Sequence, residues 1–144
     1  MNIEKVKVAS PSLGGLSETL GMEFFSTPDP KTVMAKMKVD ERNRQPWGFL
    51  SGGASLALAE NLAGVGSMAL CPGKICVGIN VSGNHVKSVL EGDTVTALAT
   101  IQYKGRTLHT WHVDITNEAG ELISTVTVTN YIMSKGKEVK PEGR

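Results

Sequence analysis

The sequence predicts an α+β domain in which one antiparallel sheet curls around a single buried helix. Three observations carry that prediction. Residues 52–70 form a proline-free run rich in alanine and leucine, apolar almost all round, which suits a buried helix rather than a surface one. The segments before and after it alternate apolar and polar residues with the period of half-buried strands. Short turn signals separate the later segments and join them into an antiparallel meander. The 144 residues are the length of one domain with a single core, 1–144, with an N-terminal extension over 1–20 and a flexible tail over 135–144.

The elements follow in order. Between Pro11 and Gly21, Leu13, Leu16 and Leu20 recur at helical spacing and Gly21 is a stop signal, which predicts a short helix. Gly21 to Ser26 predicts a short strand, closed by Thr27-Pro28-Asp29-Pro30. From Thr32, Val33, Ala35, Met37 and Val39 share one face with Lys36 and Lys38 opposite, a half-buried strand. After the central helix, the cluster Cys71-Pro72-Gly73 has helix-ending chemistry. Ile75, Val77, Ile79 and Val81 alternate in a strand that ends near His85, and Glu91-Gly92-Asp93 breaks the chain. Thr94 to Tyr103 is rich in β-formers, Lys104-Gly105-Arg106 marks a hairpin, and Thr107 to Ile115 alternates again. Asn117-Glu118-Ala119-Gly120 turns the chain into a last strand, Leu122 to Met133.

Composition narrows the function. A net charge of +1 supplies no global field for nucleic acid, so any anion binding must be local. The opening Met1 to Lys7 is too polar for a secretory segment and no apolar run approaches bilayer length, so the expectation is a cytoplasmic protein with neither membrane nor nucleic-acid partner. Cys71 and Cys76 flank Pro72-Gly73 without CxxC spacing or a neighbouring Cys/His pair, which predicts two reduced thiols and no metal site. No Gly-x-Ser-x-Gly elbow, P-loop or dinucleotide fingerprint occurs.

One feature carries chemistry. From Leu50 to Leu70 the only acid or base is Glu60. A carboxylate alone in an apolar helix is costly unless it is paired, neutralised or facing a cleft. Burial would raise its pKa, which suits a group that takes a proton or attacks a carbonyl near neutral pH; the alternative is an exposed stripe shared with Asn61. Upstream, Gln45-Pro46-Trp47-Gly48-Phe49-Leu50-Ser51-Gly52-Gly53 leads into the helix, whose first free N–H groups form a site for a polarised oxygen. The simpler alternative is that Ser51 only caps the helix and the glycines only shape a turn. Gly52 and Glu60 stand eight residues apart, about 12 Å along a helix axis, beyond the reach of one glutamate side chain. Joint action on one substrate therefore needs Glu60 of one subunit and Gly52 of a second, in a symmetric dimer.

The runs Gln45-Pro46-Trp47-Gly48, Leu50-Ser51-Gly52-Gly53-Ala54-Ser55 and Leu58-Ala59-Glu60 resemble the motif of hotdog-fold acyl-CoA thioesterases. The likeness is to the subgroup of the Arthrobacter-type 4-hydroxybenzoyl-CoA thioesterase, the 1,4-dihydroxy-2-naphthoyl-CoA thioesterase and the enterobactin-pathway proofreading thioesterase. Val77-Gly78, Asn84-His85-Val86-Lys87-Ser88 and Trp111 match in order and spacing, so the likeness runs from about Val39 to Ile132. It implies the hotdog fold and hydrolysis of an acyl-CoA, with CoA present only as part of the substrate and no other cofactor. It also implies a homodimer as the minimal unit and a homotetramer as the common assembly. Glu60 would be nucleophile or general base, the partner's Gly52 amide would polarise the thioester carbonyl, and Gln45 would position the carbonyl or the water, with Ser51 beside them. Gly78 and the CoA-binding stretch His85, Val86, Lys87 and Ser88 join the turn Lys104, Gly105, Arg106, Thr107, Leu108 and His109 as substrate contacts, where cations and turn amides suit phosphate. On its own, that turn reads as an ordinary hairpin with solvated charges. Leu56, Ala63, Val65 and Met68, with a partner's loop around Trp47 and Phe49, would line the acyl tunnel.

Two positions depart from the subgroup. Ser51 stands where a histidine usually precedes the glycine pair, and Gly64 stands where a Ser or Thr usually lies near the attacking water. These departures keep open a second reading, an acyl-CoA-binding dimer with weak turnover. A hotdog dehydratase needs a histidine in the helix region; His85, His109 and His112 all fall in expected strands.

Overall fold

The computed structural model describes residues 1–9 and 15–135. In chain order the elements are α1 (Glu4–Ala9), α2 (Leu16–Leu20), β1 (Met22–Phe25), β2 (Thr32–Lys38), α3 (Gly52–Leu70), β3 (Lys74–His85), β4 (Thr94–Lys104), β5 (Leu108–Thr116) and β6 (Leu122–Ser134). Six antiparallel strands form one sheet in the order β1-β2-β4-β5-β6-β3, and α3 packs across its inner face. Among the described residues no helix is long and apolar enough to cross a membrane.

The core lies between α3 and the inward positions of the strands. Leu58, Ala59, Leu62 and Ala63 of the helix are sealed against Val33, Ala35, Val95, Ala97, Ala99, Trp111, Val113, Ile115, Val126 and Val128. Small residues on α3 allow a close approach: a methyl on Gly66 would collide with the Trp111 ring. Ala63 is therefore core, not tunnel wall. The helix ends where expected, at a turn in which Gly73 takes a φ of 81°.

Two expectations change at the N-terminal end. The helix expected over Pro11 to Gly21 is α2 in its last turn, and residues 10–14 lie outside the described residues. The start, read as merely polar, forms α1, with Met1 and Ile3 buried in the core. The Met1 ammonium donates to Asp29 O at 2.6 Å, Thr32 O at 2.7 Å, Thr27 Oγ1 at 2.8 Å and Thr27 O at 2.9 Å. Of the tail expected over 135–144, only Lys135 lies within the described residues.

Strand β3 positions the site. It pairs with β6 as Gly78↔Asn130 and then, after a bulge, as Asn80↔Thr129, Val81↔Val128 and His85↔Ser124. The extra residue switches the inward positions from even to odd numbers. Gly78 and His85, seven apart, consequently both face α3, while Val77 and Ile79 point away and are 37% and 58% exposed. The alternation of Ile75, Val77, Ile79 and Val81 that marks the strand thus does not mark a single buried face.

Candidate active site

The loop before α3 is built by one buried asparagine. Asn43 donates its amide to Lys38 O (2.9 Å) and Leu20 O (3.0 Å) and accepts from Asp40 N–H (3.0 Å), while its carbonyl accepts from Ser51 N–H (2.9 Å). Further along, Gln45 Oε1 accepts from Trp47 N–H at 2.6 Å and from Phe49 N–H at 3.4 Å, closing a tight loop whose tip is the exposed Trp47. With its carbonyl engaged there, Gln45 has only its NH2 group to offer the adjoining cleft.

That cleft encloses about 350 Å³ and is lined by Gln45, Phe49, Gly52, Ser55, His85 and Lys87 among others. It gathers the loop, the start of α3 and the segment from His85 to Val89 into one place. Ser51 occupies the N-cap position without a side-chain capping bond, so the simple capping reading fails and the Gly52 N–H has no acceptor among the described residues. His85 stands beside it: a Cβ on Gly52 would lie 2.7 Å from His85 Nε2. His85 Nδ1 bonds Ser124 Oγ at 2.8 Å, which fixes the ring. His85, expected among the CoA contacts, stands at the mouth of the helix. Val86 and Ser88 line the cleft, whereas the Lys87 ammonium is paired with Glu121 at 2.7 Å, and that contact holds the Glu121 carboxyl below its ordinary range.

Glu60 lies elsewhere. It is half-buried, neither sealed in nor on a free stripe, and its carboxylate rests on Gly78 of β3 where any side chain would collide with it. It is not among the residues lining its own chain's cleft, in keeping with the helical distance between Glu60 and Gly52. One turn later, a Cβ on Gly64 would meet nothing within 4 Å, so the missing hydroxyl leaves open space.

The turn expected to bind CoA divides. Lys104 and Arg106 are exposed, Gly105 carries the Tyr103 ring at 2.7 Å from where its Cβ would be, Thr107 is half-buried, and Leu108 points outward at 39% exposure. His109 is different. It is fully buried and faces α3, which removes it from any surface role. Burial and the nearby Lys104 charge push its pKa down, because neither environment favours an imidazolium.

His109 belongs to a polar knot not read from the sequence. Ser67 Oγ of α3 accepts from Trp111 Nε1 at 2.9 Å and from Asn130 Nδ2 at 3.0 Å, and bonds His109 Nδ1 at 2.8 Å. Two incoming donors use the hydroxyl's acceptor capacity, so Ser67 donates to His109 Nδ1 and the imidazole proton sits on Nε2, 3.6 Å from Cys71 Sγ. Both cysteines are free thiols, and burial together with the Cys71 sulfur pushes Cys76 up to about 11. The only signal for the knot in the sequence is polar residues at inward positions of otherwise apolar strands. Among the described residues no group of three His, Cys, Asp or Glu side chains could hold a metal ion.

An antiparallel sheet wrapped around one long helix, with polar groups gathered at the helix start and along its inner face, defines a hotdog-fold protein. The chain belongs to the thioesterase superfamily, whose family model matches residues 48–124. It is 35% identical over 124 residues to the 1,4-dihydroxy-2-naphthoyl-CoA hydrolase of Listeria monocytogenes, covering 85% of this chain and 99% of that protein. The crystal structure of the Haemophilus influenzae thioesterase HI1161 superposes with a TM-score of 0.84 at 30% identity, over 97% of this chain and 96% of that one. Structures of Staphylococcus aureus SAV0944 with one glutamine or one glutamate changed to alanine superpose with TM-scores of 0.76 and 0.77, each at 33% identity over 82% of this chain and 98% of theirs. The protein is thus a thioester hydrolase by family.

Proposed function

We propose that the protein hydrolyses an acyl-CoA to a carboxylic acid and CoA, in a site shared between two copies of the chain. Glu60 of one protomer acts as base or nucleophile, and Gln45 NH2 and the Gly52 N–H of the other bind the thioester oxygen as it gains negative charge. The observation that carries this reading is the separation of Glu60, seated on Gly78, from a cleft that holds Gln45 and Gly52 of its own chain. His85, fixed by Ser124, adds a ring nitrogen at the same helix mouth. Strand β3 favours the dimer: it is an edge of the sheet, twelve residues long, with Val77 and Ile79 exposed along it. The glutamine and glutamate replaced in SAV0944 are fifteen positions apart, the spacing of Gln45 and Glu60, which supports pairing these two residues in one reaction.

Likeness to the 1,4-dihydroxy-2-naphthoyl-CoA hydrolase favours an aromatic acyl group. CoA enters as substrate, with its nucleotide toward Lys104 and Arg106, and the two reduced thiols suit the cytoplasm. The test is thiol release from a panel of benzoyl-CoA, short-chain and long-chain acyl-CoA, with wild type beside Glu60→Gln. Turnover with benzoyl-CoA leading the panel is expected, falling at least 100-fold in the variant. CoA affinity without Glu60-dependent turnover would establish instead a binding protein, the reading that Ser51 and Gly64 favour.

A further inference from the structure

One row of the inner sheet face departs from its apolar neighbours. His109 of β5, Asn130 of β6 and Gly78 of β3 are direct cross-strand partners, so they lie side by side beneath α3. Above the row sit Ser67, bonded to both His109 and Asn130, and Glu60, resting on Gly78. Asn130 is 1% exposed and spends its NH2 group on Ser67, while its Oδ1 has no hydrogen-bond partner. A buried amide oxygen left unpaired is costly, and such orphans need a physical account. Directly opposed side-chain positions lie about 5 Å apart, so Asn130 stands next to the position over which the Glu60 carboxylate rests. Glu60 likewise accepts no hydrogen bond from any described residue.

Two acceptors carried on neighbouring positions can be satisfied together by a molecule that brings two hydrogens. We propose that Asn130 is a positioning residue of the reaction: its Oδ1 and the Glu60 carboxylate each accept one hydrogen of the attacking water. This inference rests on Glu60 acting on a thioester, and it assigns Glu60 the part of general base. With both hydrogens held, the water turns its lone pairs away from Asn130 and Glu60 toward the thioester carbon. As the C–O bond forms, Glu60 takes one proton and the other stays on the oxygen, directed at Asn130. The C–S bond then breaks, and the proton on Glu60 passes to the departing CoA sulfur, leaving carboxylic acid and free thiol. Ser67 keeps the amide oriented, because its hydroxyl is held in turn by Trp111 and His109.

Three variants test this, with benzoyl-CoA as the probe. Asn130→Leu keeps the shape and removes the acceptor; kcat falls at least ten-fold while KM stays within two-fold. Asn130→Asp keeps an acceptor oxygen but sets a second carboxylate beside Glu60, so turnover returns at higher pH and the acidic limb of the kcat profile moves up by about one unit. Ser67→Ala leaves the acceptor in place and loses only its anchor, so its loss in kcat is smaller than that of Asn130→Leu. Wild-type kcat in Asn130→Leu, an unmoved acidic limb in Asn130→Asp, or a Ser67→Ala loss as large as that of Asn130→Leu overturns the assignment. If Asn130→Leu does not fold, the Asn130→Asp profile decides alone. Activity surviving in Glu60→Gln sinks the underlying reading, whereas an inactive Glu60→Gln beside a normal Asn130→Leu sinks only the role of Asn130.

Discussion

At the scale of single residues, the site depends as much on atoms that are missing as on groups that react. Gly78 contributes the absence of a Cβ, and the Glu60 carboxylate fills that space. Gly78→Ala therefore displaces the acid while leaving the sheet intact, since β3 is an edge strand and Gly78 is exposed on it. A displacement of about 1 Å can cost two orders of magnitude in rate. The expected result is kcat down about 100-fold with a melting temperature near that of wild type; equal activity would show that Glu60 does not work from this position. Glu60 stands out in the sequence as a lone acid in an apolar helix. Gly78 was not legible on physical grounds, since a glycine's use depends on what lies across from it. His109, which the family resemblance placed among the CoA contacts of the turn, is fully buried instead, a position that alternation along the strand did not fix.

At the scale of elements, the central helix was read correctly over Gly52–Leu70 and the meander strands to within a few residues. Composition and turn chemistry are local signals, and these elements obey them. The bulge in β3 was not legible, because one inserted residue is defined by its pairing with β6 and not by its own sequence. Nor was the burial of Met1 and Ile3 ahead of α1, which depends on residues distant in sequence such as Thr27 and Thr32. The knot of Ser67, His109, Trp111 and Asn130 ties α3 to β5 and β6, and it makes that packing sensitive to acid. His109 is held neutral when folded, with its pKa below the ordinary 6.5, while in the unfolded chain it titrates near that value. The unfolded state then binds more protons at acidic pH, so this stability is complete above about pH 6.5 and declines as the pH falls. One such group changes stability by at most about 1.4 kcal/mol per pH unit. His109→Asn keeps an acceptor toward Ser67 and does not titrate. Urea midpoints from pH 8 to pH 5 are expected to fall more steeply for wild type than for this variant; parallel curves would remove His109 from the acid response.

At the scale of the whole molecule, joint action of Glu60 and Gly52 on one thioester would require a division of labour between two chains. Glu60 and the Gly52 amide cannot serve one thioester from the same chain, since about 12 Å of helix axis lies between them. In a two-fold dimer each site would take its acid from one protomer and Gln45 with Gly52 from the other. Subunit mixing makes that arrangement measurable. Glu60→Gln dimers lack the acid in both sites, and Gln45→Ala dimers lack a carbonyl-binding donor in both, a loss that costs about 100-fold or more where such donors stabilise an oxyanion. A hybrid of the two concentrates both defects in one site and leaves the other with its Glu60 and Gln45 intact. Random reassortment of equal amounts makes hybrids of about half the dimers, each with one working site of two, so activity should return to about a quarter of wild type. If Glu60 instead met the cleft of its own chain, every site in the mixture would carry one defect and nothing would be regained. Recovery that appears on mixing, rises with time for exchange and stops near a quarter thus separates a shared site from two self-contained ones, without knowledge of the natural acyl group.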